Sequence, residues 1–231
     1  MFSSESRGLQ LLGEYVRTPE VLTMAMVNGY HVLVIEWVEQ GLKTDGFWKN
    51  FGEQLVKLHS KKADRFGLHF DNFMGSLPQS NTYSNSWTEF FVHQRLQPQL
   101  ELALSKKLME PAQVAAFDNL YKKLPEIFAD EPPCLLHGDL WSGNLMCNEK
   151  SEPVLIDPAV YYGHRSMDLG MTTLFGGFDP AFYEAYNSNY PLHADHAEQW
   201  EISNLYPLLV HLNLFGIQYL PRIAAILNRY I

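Results

Sequence analysis

The sequence predicts an α+β protein of two unequal lobes, a small one opening with a helix and a hairpin, and a larger, mostly helical one. Three observations carry that reading. Val21 to Val27 and His31 to Val38 are apolar runs joined by Asn28-Gly29, and Asn-Gly between apolar runs is the strongest short hairpin signal, because both residues tolerate positive φ. Cys134-Leu-Leu136 and Val154-Leu-Ile156 are short unbroken apolar runs that read as buried strands, and each runs into a loop bearing an aspartate. Most of the remaining chain repeats its apolar residues at helical spacing.

Taken in order, Ser3 to Val16 places Leu9, Leu12 and Val16 on one helical stripe, with Glu5 one turn earlier. After the hairpin come Glu36-Trp37-Val38 and Gly41, read as a flexible crossing point. The expected division is therefore a remnant of an N-terminal lobe at residues 1–38, a hinge at 36–41, and a C-terminal helical catalytic lobe at 39–231. Thr44-Asp45 supplies N-cap residues for a helix in which Phe47, Phe51, Leu55 and Leu58 recur up to His59. Gly67 to Ser86, rich in Gly, Asn, Ser and Pro, reads as a long functional loop. Helices are expected over Trp87 to Lys107, kinked or divided by Pro98, and over Ala112 to Leu124. Pro158 to Arg165 reads as loop, and Met167 to Phe175 as a short helix stopped by Gly176-Gly177. Asp179 caps a helix over Ala181 to Tyr190 with Pro180 in its first turn, and Asp195 to Phe215 and Pro221 to Ile231 complete a helical tail.

Hydrophobic residues make up 46% of the 231 and aromatics 13%, enough for a substantial core and against disorder. A net charge of −9 argues against nucleic acid or an anionic membrane as partner. It leaves room for a phosphate-bearing ligand whose charge is neutralised by bound Mg2+. Cys134 and Cys147 form neither a CxxC motif nor a disulfide framework, which points to the reducing cytoplasm. Met1-Phe-Ser-Ser-Glu5 is not a signal-peptide pattern, and no apolar run approaches the ~20 residues of a membrane span. Nothing in the pattern fixes the oligomeric state.

The chemistry concentrates in His137-Gly-Asp-Leu-Trp-Ser-Gly-Asn144. Asp139 is followed by Asn144 five residues on, and by Asp157 after another thirteen. The pattern H-x-D-x-x-x-x-N followed by a strand-terminal Asp is that of a phosphoryl-transfer loop, in which the Asp accepts a hydroxyl proton and the Asn and second Asp hold Mg2+ on ATP. Either acid alone is as ordinary in a turn as in a site; the spacing of all three makes the case. His137 is expected half-buried and holding backbone in place. Asp168 either anchors the loop backbone or is a plain helix-start acid. Trp141 either stacks on substrate or packs.

These residues resemble the fructosamine kinase (ketosamine kinase) family, related to aminoglycoside and choline phosphotransferases. The matching blocks include Glu5-Ser-Arg-Gly-Leu-Gln-Leu-Leu12, Leu55 to His59, Phe66 to Gly75, Pro78-Gln79-Ser-Asn81, Trp87 to Phe91 with Arg95-Leu96, His137 to Asn144, Ile156 to Ala159, Tyr162 to Arg165 with Asp168-Leu169, and Leu174-Phe-Gly-Gly-Phe178. The resemblance implies a protein-kinase-like two-lobe fold and an ATP- and Mg2+-dependent kinase acting on a sugar hydroxyl of a ketosamine or glycated amine. Carried over, Asp139 is the proton acceptor, Asn144 and Asp157 the Mg2+ ligands, and Glu36, Trp37 and Val38 the hinge whose backbone meets adenine. Glu5 is the helix acid that pairs with a phosphate-binding lysine, and Gln79 and Asn81 border the substrate or are structural.

Two departures accompany the resemblance. A kinase-like small lobe opens with a Gly-rich hairpin and a strand bearing that lysine; neither precedes Glu5 here, so the N-terminal lobe is expected to be truncated. Ser166 stands where the family commonly has Glu. These departures keep a second reading open, a catalytically impaired or non-catalytic binding protein on the same fold. A third, a metal-dependent hydrolase, would recruit His164 to the acids.

Overall fold

The computed structural model describes residues 1–230. Helix α1 (Phe2–Gly13) buries Leu9 and Leu12 and lies against a hairpin of β1 (Val21–Val27) and β2 (Tyr30–Ile35). The strands pair antiparallel with Val27 opposite Tyr30. Asn28 and Gly29 sit at the tip with φ of 51° and 84°, the left-handed pair that a two-residue turn requires. The hairpin stands largely in solvent, with Leu22, Met24, Met26, Val27 and Tyr30 exposed.

Beyond it the chain crosses to the larger part at Gly41, and the reason for glycine differs from the expected one. Gly41 donates its N–H to the Cys147 carbonyl at 2.9 Å, and a Cβ there would lie 2.2 Å from the Asn148 carbonyl oxygen. Close backbone approach, rather than flexibility, selects the residue. Helix α2 (Phe47–His59) then starts at Gly46 with no side-chain cap, so Thr44 and Asp45 do not serve as its N-cap. Thr44 instead bonds the Ser151 hydroxyl at 2.9 Å, tying the crossing to the far turn.

The stretch expected as a long loop holds a small hairpin, β3 (Asn72–Met74) and β4 (Leu77–Gln79). Its polar composition reflects buried amides, not solvation. Asn72, Gln79 and Asn81 are 3%, 1% and 0% exposed. Gln79 donates to Asn72 Oδ1 at 2.7 Å and to the Ala159 carbonyl at 3.2 Å, and accepts from the Tyr206 hydroxyl at 2.7 Å. Asn72 donates to the Val160 carbonyl at 2.7 Å, while Asn81 takes a 2.7 Å bond from the buried Arg95 guanidinium.

The expected division of the next helix falls just ahead of Pro98 rather than at it. Between α3 (Trp87–Phe90) and α4 (Gln97–Ser105), residues Phe91–Leu96 form a π-helical turn in which the Gln97 N–H reaches back five residues to the Val92 carbonyl. Pro98 then falls in the first turn of α4, where its missing N–H costs least. α5 (Pro111–Ile127), opened by a Glu110–Gln113 capping box, runs on past the expected end at Leu124 and through Pro125.

Two expected strands are four. β5 (Cys134–Leu136) pairs antiparallel with β8 (Tyr161–Gly163), and β6 (Leu145–Cys147) with β7 (Pro153–Leu155). Pairs of three residues are too short to show period-2 alternation, so β8 reads as loop in the sequence and β6 is not marked there. The helical remainder is α6 (Ser166–Leu174), α7 (Pro180–Asn189), α8 (His196–Ser203), α9 (Leu205–Phe215) and α10 (Leu220–Leu227). Asp179 caps α7 as expected, through the Ala181 N–H at 2.9 Å. The expected Asp195–Phe215 helix divides at Asn204, whose amide donates to the Gly170 carbonyl at 2.9 Å. Of the expected last helix, Ile231 lies outside the described residues. α2 and α7 form the main helical pair, with Phe51 stacked on Phe182 at 5.0 Å and Gly52 letting the backbones meet. No helix among the described residues is long and apolar enough to cross a membrane.

Replacing Gln79 by Leu strands the Ala159 carbonyl and the Tyr206 hydroxyl in the interior, while Asn72 Oδ1 keeps the Asn81 amide at 3.2 Å. At about 1–3 kcal/mol per orphaned group, Gln79→Leu is expected to lose several kcal/mol in urea unfolding; a variant as stable as the parent would show that the amide cluster is dispensable.

Candidate active site

The loop after β5 is built on one buried acid. Asp168, 1% exposed on the first turn of α6, accepts the His137 N–H at 2.8 Å and the Gly138 N–H at 2.9 Å. Its third partner is His59 Nε2 at 3.2 Å, from the end of α2, whose Nδ1 meets the Tyr186 hydroxyl at 2.8 Å. Burial holds His59 below the ordinary histidine range. The neutral ring therefore donates from Nε2 to the carboxylate and accepts from tyrosine at Nδ1. His137 is wholly buried, not half-buried, and its Nε2 lies 3.0 Å from the Ile156 carbonyl while Nδ1 receives the Asp139 N–H at 3.2 Å. It thereby staples the loop after β5 to the loop after β7. Gly138 adopts φ of 84°, and a Cβ there would lie 2.0 Å from the Ala159 carbonyl oxygen. No other residue permits that crossing.

From this frame Asp139 projects into a cleft of about 270 Å³ whose lining includes Glu5, Asp157, Asn72 and Ala159. Asp139 is half-buried, and burial first, then the neighbouring Asp157 carboxylate, raises its pKa to about 7. Burial and Asp157 also raise Glu5. Asn144, on a 3-10 turn, donates its amide to the Asp139 main-chain carbonyl at 2.9 Å and to the Asp139 carboxylate at 3.2 Å. That fixes the amide's orientation and leaves Asn144 Oδ1 without a protein partner among the described residues. The exposed Asp157 carboxylate likewise accepts no hydrogen bond there, and its backbone is held at φ of 51°, a sparsely populated region for aspartate. Asp157, Asp139 and the free Asn144 Oδ1, with no lysine or arginine side chain lining the cleft, offer the few oxygen donors that a hard divalent cation takes while keeping its waters.

Among the described residues no cluster of three His, Cys, Asp or Glu is arranged for a metal. His164 does not join the acids, as a hydrolase reading requires. It is buried between Trp87 and Phe128 and bonds the Ser166 hydroxyl at 2.8 Å. Nor do Gln79 and Asn81 present their side chains to a substrate, since both amides are consumed in the buried cluster. Glu36 spends its carboxylate on Arg17 and on the Glu20 N–H at 3.0 Å. The Glu36 carbonyl and the Val38 N–H carry no hydrogen bond among the described residues, while the Trp37 ring stands in solvent. Glu5 forms no ion pair with lysine among the described residues and faces Asp157 instead. Trp141 is partly exposed and edges onto Phe175 at 5.9 Å. Sequence reading missed His59, Asn72, Arg95 and Tyr206. Only polar residues on otherwise apolar faces marked them, and that signal is too common to single them out.

A sequence profile of the fructosamine kinase family matches residues 1–231. The chain belongs to the fructosamine kinase family. Within it, a "probable ketoamine kinase" of Lactiplantibacillus plantarum is 38% identical over 231 residues, covering 99% of this chain and 81% of the relative. A chloroplastic protein-ribulosamine 3-kinase of Arabidopsis thaliana is 35% identical, covering 100% and 72%. A crystal structure of a candidate fructosamine-3-kinase from Thermobifida fusca superposes with a TM-score of 0.90 at 33% identity, over 99% of this chain and 79% of that one. The aminoglycoside phosphotransferase APH(2'')-Ib shares the fold at a TM-score of 0.61 and 15% identity, over 98% and 81%. The mixed helix and sheet architecture is therefore protein-kinase-like, and the enzyme class of the family is phosphotransferase.

The raised pKa of Asp139 has a sign that can be checked. A folded carboxyl that holds its proton more tightly than the unfolded chain makes folding take up a proton, so stability falls as pH rises from the ordinary carboxylate range through about 7. In metal-free buffer Asp139→Asn is thus expected to melt above the parent at about pH 8, with the gap closing toward about pH 4. A variant that melts below the parent at the higher pH would mean that Asp139 is not the penalised charge.

Proposed function

We propose that this chain is an ATP-dependent kinase that phosphorylates a sugar hydroxyl of ketosamines, with Asp139 accepting the hydroxyl proton. The observation that carries the reading is Asp139 itself: a carboxylate whose pKa lies at about 7, on a loop clamped from both sides, at the floor of a cleft it shares with Asp157. A proton acceptor works best with a pKa near the working pH. The names of the relatives supply the substrate class, ketoamines and ribulosamines.

In this reading Asn144, through Oδ1, and Asp157 hold Mg2+, which when bound supplies the positive charge that the nucleotide phosphates and three carboxylates require. The Asn144 amide also keeps the Asp139 carboxylate from rotating away from the acceptor hydroxyl. The open Glu36 carbonyl and Val38 N–H form the donor–acceptor pair that meets adenine, so residues 1–38 and 39–231 flank the nucleotide from two sides. Trp141, two residues from the base, stacks on the substrate. Two buried free thiols, Cys134 and Cys147, fit a reducing cytoplasm.

The test is turnover of a fructosamine or ribulosamine with ATP and Mg2+. Parent activity is expected to need the metal. Asp139→Asn should lower kcat by about 10²–10⁴-fold, the range of general base catalysis, and Asn144→Ala should raise the Mg2+ requirement. Absence of metal-dependent turnover together with absence of a nucleotide-induced thermal shift would dismiss the proposal, as would full activity in Asp139→Asn.

A further inference from the structure

One surface feature is left unused by the chemistry above. The aromatic rings do not stop at Trp141. Phe175 lies 5.9 Å from it, His211 5.0 Å from Phe175, and Phe215 and Tyr219 5.3 and 5.1 Å from His211. Phe175, Phe215 and the neighbouring Ile217 are 42%, 59% and 55% exposed, an unusual amount of large apolar surface to gather in one place. Two independent contacts place this ledge at the rim of the catalytic cleft. Gly177, after α6, packs so closely on the catalytic-loop Ser142 that a Cβ would lie 2.7 Å from it. On the other side Gly75, which lines the cleft, would place a Cβ 3.0 Å from Leu214 of α9, the residue beside Phe215.

The ledge is built of neutral rings. Tyr219 and Phe215 flank the only break in the segment, at Gly216, whose φ of 105° turns the chain back so that both rings reach His211. His211 bonds the Pro207 carbonyl at 2.7 Å through Nδ1, and burial holds it below the ordinary histidine range, so the ring is neutral. The exposed Arg222 donates to the Leu174 carbonyl at 2.9 Å, which sets one cation beside Phe175 at the edge of the ledge.

Building on the ketosamine kinase reading, we propose that the ledge formed by Trp141, Phe175, His211, Phe215 and Tyr219 binds the amine-side part of the substrate, a glycated lysine in a peptide with an apolar residue beside it. With the sugar at Asp139, the chain leaving the amine passes Trp141 first. A lysyl stem is apolar over its four methylenes and suits the Trp141–Phe175 pair. Phe215 and Ile217 lie past that stem, where only a flanking residue arrives. A glycated methylamine has nothing to place on any of these rings.

Calorimetric binding separates this inference from turnover, because it needs no phosphoryl transfer. A fructosamine on the lysine of a short peptide with a flanking Phe is expected to bind about tenfold tighter than one on methylamine, and Phe215→Ala should erase most of that advantage without weakening the methylamine compound. Phe215 is exposed, so the variant is expected to fold, and its melting curve confirms that. Equal affinity for the two compounds, equal loss on both in Phe215→Ala, binding of the unglycated peptide as tight as the glycated one, or a flanking Gly serving as well as Phe would each overturn the ledge. Failure of turnover with the binding pattern intact would instead dismiss the kinase reading and leave the ledge as a binding site.

Discussion

Two hydrogen bonds from successive main-chain N–H groups to one buried carboxylate hold the site together. Asp168 receives His137 and Gly138, and without it the loop that carries Asp139 has no reason to leave β5 at its observed angle. The charge is tolerable in the interior because its oxygens meet three donors, the third from a neutral histidine. Hydrogen bonds to a charged acceptor are worth roughly 1.5–3 kcal/mol each, and an uncompensated buried carboxylate costs more than that. The anchor therefore ties α2, α6 and the catalytic loop into one unit, with Tyr186 bringing in α7 through His59.

A second clamp acts on the opposite side. The main chain after Asp157 is gripped at two consecutive carbonyls, Ala159 by Gln79 and Val160 by Asn72, while the Ala159 N–H donates to the His137 carbonyl at 2.9 Å. The donors are side-chain amides from a short hairpin, locked by Tyr206 and Arg95. Among the described residues Arg95 has no acidic partner; its charge rests on the ring faces of Tyr161 and Phe90 at 4.0 and 4.6 Å and on carbonyl oxygens. The Asp157 and Asp139 loops are thus referenced to each other through Gly138 and Ala159, and the position of one acid cannot shift without the other.

The loop after β5, the two acid-bearing strands and most helices were legible because they obey local rules: apolar period, an Asp cap, Asn-Gly at a turn. What escaped was set by contacts between distant segments. The amides of Asn72, Gln79 and Asn81 look like loop composition until the carbonyls they serve, nearly eighty residues or more away for the first two, are brought to them. Gly41 looked like freedom and proved to be proximity. Pro98 looked like a break, and the π turn ahead of it absorbed the defect. His59 gave no local sign of its acid, because a histidine ending an amphipathic helix has many ordinary uses.

The same clamps explain why the cleft can hold charges that repel. Asp157 raises the cost of charge on Asp139 and on Glu5 in the free protein, and it has a left-handed backbone at φ of 51°. A flexible loop would relax by turning the carboxylates outward. Here the two loops are pinned at Asp168, Gly138 and Ala159, so the repulsion persists in the free protein. Rigidity elsewhere is what keeps the site poised, and any ligand that binds these acids in the folded chain and not in the unfolded one stabilises the fold by an amount set by its concentration relative to its Kd.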